Sequence, residues 1–73
     1  MHIEKAKNLR PGDFVVCPAD GGSPEYTGMI TSVNPVEQQD LFGKKFLRVK
    51  VKQLNGPNMT SWPTSRLVIE RLI

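Results

Sequence analysis

The sequence predicts an all-β fold, a single five-stranded antiparallel barrel, on three observations. The apolar residues fall in short runs separated by turn-forming clusters of Gly, Pro, Asn and Asp. Between Phe46 and Leu54, Leu47, Val49 and Val51 alternate with Arg48, Lys50 and Lys52, the period-two pattern of a strand with one buried face. The length of 73 residues suits one small domain, which buries only about 60% of the surface its unfolded chain exposes.

Taken in order, residues 1–9 form a lead-in and residues 10–73 the barrel. Ile3, Ala6 and Leu9 recur three apart, the spacing of a short helix; a lead-in strand or a frayed tail is the alternative. Arg10-Pro11-Gly12-Asp13 is a turn, since proline presets φ, glycine allows positive φ and aspartate bonds nearby backbone. Phe14-Val15-Val16-Cys17 follows as the first strand, stopped by Pro18. After the loop 19–25, Tyr26 to Val33 reads as the second strand, with Ile30 and Val33 inward. Gly28 within it marks a bulge or a close backbone approach. Asn34-Pro35 ends that strand, and Val36 to Lys45 reads as a polar loop carrying Leu41-Phe42, an apolar pair that either tucks into the core under the barrel or sits exposed. Phe46 to Leu54 is the third strand, Asn55 to Asn58 a turn, and Met59 to Trp62 the fourth strand. Pro63 to Arg66 suits a single 3₁₀ turn before the last strand, which runs from Leu67 to Ile73.

Composition narrows the functional classes. One cysteine, Cys17, and one histidine, His2, make neither a zinc set nor an internal disulfide. The apolar runs are too short for a membrane-spanning helix or a secretory signal, so the expectation is a cytoplasmic protein with no membrane, metal or cofactor. Charge is unevenly placed along the chain: +2 over residues 1–10, −5 over 11–43 and +6 over 44–73. Such segregation predicts separate acidic and basic patches.

Gly12, Asp13, Val15, Gly21 or Gly22, Gly28, Ile30 and Val33 resemble the KOW-type half-barrel of ribosomal proteins and NusG-like transcription factors. The strand order, with Trp62-Pro63 and Leu67 around the one-turn helix, resembles an SH3-like barrel. This resemblance implies a five-stranded antiparallel SH3-like barrel in a transcription or translation setting. It departs from the pattern in one respect: residues 18–28 carry Asp20 and Glu25 where RNA-binding KOW loops are basic. Met59-Thr60-Ser61-Trp62-Pro63 and Ile69-Glu70-Arg71-Leu72 are also similar to the signatures of the type II dihydrofolate reductases, small barrels that assemble around an active pore. The glutamine and isoleucine that hold ligand in that family are here Thr60 and Ser61, so this likeness implies shared geometry rather than shared chemistry. A small pore enzyme of that kind, which requires a tetramer, is the third functional alternative.

The basic strand is the strongest functional signal. Arg48, Lys50 and Lys52 leave one face of the sheet, with Lys44 and Lys45 at its entrance, and side chains two apart are spaced about 6.5–7 Å along a strand. That ribbon suits successive phosphates of RNA or DNA; a solvated outer face that guards against aggregation is the alternative. Leu41 and Phe42 are candidate anchors for a protein partner such as a polymerase or ribosome component. Tyr26, Phe42 and Trp62 are candidate base-stacking platforms, with a core position the alternative for Trp62. Asp13 reads as a turn residue and Cys17 as core. With no nucleophile–base pair and no paired carboxylates at a workable spacing, the expectation is a binding module and not an enzyme.

Overall fold

The computed structural model describes residues 1–69. A short helix, α1 (Ile3–Ala6), is followed by strands β1 (Phe14–Cys17), β2 (Tyr26–Gln39), β3 (Lys45–Gln53) and β4 (Met59–Pro63). A 3₁₀ turn (Thr64–Arg66) and a two-residue segment, β5 (Val68–Ile69), complete the described chain. All pairings are antiparallel, in the spatial order β4-β3-β2-β1-β5. Among the described residues β4 and β5 lie at opposite edges and do not pair, so the sheet is an open half-barrel.

The expected all-β, five-stranded SH3-like barrel is therefore corrected. The N-terminal helix removes the chain from the purely all-β class, and it follows from the spacing of Ile3, Ala6 and Leu9, since Ala6 and Leu9 are buried. Four strands of useful length build the half-barrel, whereas among the described residues β5 contributes only the pairs Val15–Ile69 and Val16–Val68. The 3₁₀ turn follows β4, the last of these full strands. What remains is a generic small antiparallel β fold, not a clean SH3 or KOW barrel. Residues 70–73, on which the end of the expected fifth strand and most of the second reductase-like signature fall, lie outside the described residues.

A second correction concerns residues 36–39, expected in a loop and found in β2. The strand survives Asn34-Pro35 by bulging: its register against β3 shifts between Asn34 and Gln38. The Val36 N–H donates to Asn34 Oδ1 at 3.0 Å, and Pro35, which has no N–H to offer a ladder, sits inside the bulge.

Alternation along β3 divides the sheet into an inner and an outer face. Leu47, Val49 and Val51 point inward and join Val15, Cys17, Ile30, Trp62 and Leu67 in the buried core. Gly28 explains how tightly the inner layers meet. A Cβ there would strike the Val51 side chain and lie 2.9 Å from the Lys52 carbonyl oxygen, so only glycine lets β2 and β3 approach at that point. The buried Thr64 hydroxyl accepts the Leu47 N–H at 3.0 Å, satisfying a backbone donor where β4 has already ended.

Side chains also tie β2 to β4 across the intervening β3. Trp62 Nε1 donates to the Tyr26 hydroxyl at 2.9 Å, which in turn bonds Thr60 Oγ1 at 2.7 Å. The two rings meet edge-on with centroids 6.5 Å apart, a favoured aromatic geometry. Burial pushes the Cys17 thiol up from its ordinary pKa, outweighing a hydrogen bond from Tyr26, so it packs as a small apolar group.

Candidate functional site

The five basic residues singled out in the sequence do not share one surface. Arg48, Lys50 and Lys52 are all exposed on the outer face of β3, each opposite the buried residues of the same strand. Lys45 has the parity of Leu47 and so leaves the other face. It stands near Glu37, whose carboxyl is held below its ordinary pKa first by the hydrogen bond and charge of Lys7, with Lys45 adding to the effect. Lys44 lies in the β2–β3 turn, close enough to the Met1 ammonium to help lower its pKa, after burial. Lys44 and Lys45 thus belong to the side of the hairpin that faces α1.

The cross-strand neighbours of the three outer-face cations differ. Arg48 pairs across the sheet with Asn34 and Pro63, and Lys50 with Ser32 and Ser61. Lys52 lies between Met29 and Met59. All three cations are exposed, and a shallow depression of about 290 Å³ is lined by Ser32, Asn34, Arg48, Lys50 and Ser61, with Val49. Among the described residues, ion pairs join Lys7 to Glu4 and Glu37 and Arg66 to Asp20. None involves Arg48, Lys50 or Lys52. Arg66 is further engaged, its guanidinium 5.1 Å from the Trp62 ring centroid.

The outer row also holds an aromatic residue that the sequence reading left out. Phe46 is two residues before Arg48, is half-buried, and carries the Arg48 guanidinium 5.9 Å from its ring centroid. The signal was present in the same alternation that grouped Arg48, Lys50 and Lys52.

Leu41 and Phe42 occupy the tip of the β2–β3 hairpin and are 100% and 94% exposed. The turn that presents them is well bonded. Asp40 Oδ1 accepts the N–H groups of Phe42 and Lys44, both at 2.9 Å, and Asp40 exchanges two further backbone bonds with Gly43 and Lys44. Gly43 has φ +79°, the left-handed conformation that glycine adopts without strain. Tyr26 and Trp62, considered above as stacking platforms, are instead tied up in the side-chain link between β2 and β4.

Among the described residues no group of three or more His, Cys, Asp or Glu side chains is placed to hold a metal, and no helix is long and apolar enough to cross a membrane. A groove of about 570 Å³ between the β1–β2 loop and the end of β3 has Glu25, Tyr26, Gln53 and Asn55 in its wall. No family model, curated protein or solved structure matches the chain. The KOW assignment and the nucleic-acid and protein-binding roles attached to it therefore have no support from kinship, and the KOW assignment is withdrawn.

Proposed function

We propose that this protein is a cytoplasmic, non-enzymatic binding module whose outer sheet face contacts nucleic-acid phosphates through Arg48, Lys50 and Lys52. The observation that carries this reading is the row of three exposed cations on one face, unpaired among the described residues and bordered by Ser32, Asn34 and Ser61. Cations with no internal partner lose little by binding an outside anion, and hydroxyl and amide neighbours add donors for phosphate oxygens. Binding of RNA and duplex DNA, measured at two salt concentrations, tests it. Arg48→Ala/Lys50→Ala should lower the log–log salt slope by about 0.7–0.9 per lost phosphate contact. Unchanged affinity and slope would overturn the reading.

A second reading, docking onto a larger protein, is favoured by Leu41 and Phe42. Two apolar side chains held out by a hydrogen-bonded turn incur little ordering cost when they enter a pocket.

A further inference from the structure

We infer that the nucleic acid taken by the outer face is a single strand, with a base stacked on the Phe46–Arg48 pair and the backbone running over Lys50 and Lys52. The inference rests on the phosphate reading above and adds the ligand's strandedness. Phe46, Arg48, Lys50 and Lys52 lie in single file on one strand, a line of about 20 Å at ordinary strand rise. A single file matches one backbone, whereas a duplex presents two.

The composition of the row points the same way. In a duplex the faces of the bases are covered by their neighbours, so an aromatic platform beside cations has nothing to stack on unless a base is flipped out. In a single strand each base offers a π-face to an aromatic ring or to a guanidinium plane. Here both surfaces occur together, the Arg48 guanidinium lying 5.9 Å from the Phe46 centroid. The ladder beside that platform is one-sided. β4 pairs with β3 only as far as Arg48, opposite Pro63, so no β4 residue stands opposite Phe46. On the other side its partner is Gln38, whose amide can reach a base edge. The depression between Arg48 and Lys50, with Ser32, Asn34 and Ser61 in its wall, is then placed for the phosphate that follows the stacked base.

The test compares oligo-dT and oligo-U of about twelve nucleotides, a length within the usual range for one small domain, with a DNA duplex of equal length. The wild-type chain should prefer the single strands. Phe46→Leu, which keeps an apolar side chain in the half-buried position, should weaken single-strand binding about ten-fold while leaving duplex affinity and the salt slope unchanged. Phe46→Tyr should retain the wild-type affinity, and thermal melts of both variants control for folding. Equal or tighter binding of duplex, or equal loss on both ligands in Phe46→Leu, would overturn the strandedness while leaving the phosphate contact standing. Failure of the wild-type chain to bind any of the three would overturn both.

Discussion

The β2–β3 hairpin has two unlike ends built from the same two strands. At its root, Gly28, Ile30, Val49 and Val51 are buried, with Ile30 paired to Val51, and the strands approach so closely that a methyl group does not fit at Gly28. At its tip, Leu41 and Phe42 are almost fully exposed, yet the backbone that carries them is held by the Asp40 carboxylate. Apolar residues at the root gain stability from burial; those at the tip gain none. Order at the tip is instead bought with local hydrogen bonds, and order without burial suits contact with something outside the chain.

The sharpest break of that contrast lies at the root. Trp62→Ala removes a buried ring opposite Val49, together with its bond to Tyr26, and is expected to cost about 3–5 kcal/mol. In a domain this small that approaches the whole folding free energy, so chemical denaturation should find the variant largely unfolded at 25 °C. A Trp62→Ala protein that unfolds at the wild-type midpoint would show that the core lies elsewhere.

Gly28→Ala and Thr64→Val sharpen the comparison with smaller changes. The first forces β2 and β3 apart and is expected to destabilise by about 1–3 kcal/mol, whereas Gly22→Ala, with open space around it and no positive φ, should lie within about 0.5 kcal/mol of wild type. The second preserves shape but strands the Leu47 N–H, for a loss of about 1–3 kcal/mol. Urea titrations of the three variants side by side check both statements.

At the tip the expected signs reverse. Phe42→Ala should leave stability within about 0.5 kcal/mol of wild type, as exposed substitutions do. It should also weaken co-purification of a protein partner, the behaviour of a truncated interface anchor. A loss of several °C in melting temperature, with partner binding intact, would return Phe42 to the core.

The smallest effect belongs to the tether between hairpin and helix. Lys7 Nζ lies 2.9 Å from Glu37 Oε1, and the pair lowers the Glu37 pKa from its ordinary 4.5. A carboxylate whose folded pKa is depressed stabilises the fold above its unfolded value and loses that contribution as pH falls through the folded one. The tether should therefore be fully present above pH 4.5 and fade below it, and high salt should weaken it because both groups are exposed. Glu37→Gln should flatten that part of the stability profile at low salt; an unchanged profile would show that the pair contributes nothing.

Local patterns accounted for β1, β3 and the core row of β3, because period-two alternation needs no knowledge of the partner strand. Alternation also contained the placement of Phe46 with Arg48 and of Lys45 on the opposite face, although grouping the lysines by charge hid it. The continuation of β2 past Pro35 was not legible. A proline in a strand is read as a stop, and only the bulge opposite β3 and the Asn34 side chain let the ladder resume.

The sequence by itself determined that a small, largely antiparallel β fold would form with Arg48, Lys50 and Lys52 on one face, since strand parity is a property of the backbone. Only the tertiary structure decided that the sheet of the described residues is open, that Tyr26 and Trp62 tie β2 to β4, and that Lys44 and Lys45 stand apart from the row. These outcomes depend on contacts between residues far apart in the chain, such as Thr64 with Leu47 and Tyr26 with Thr60. The free energy of such contacts exists only once loops have closed and the partners share one core.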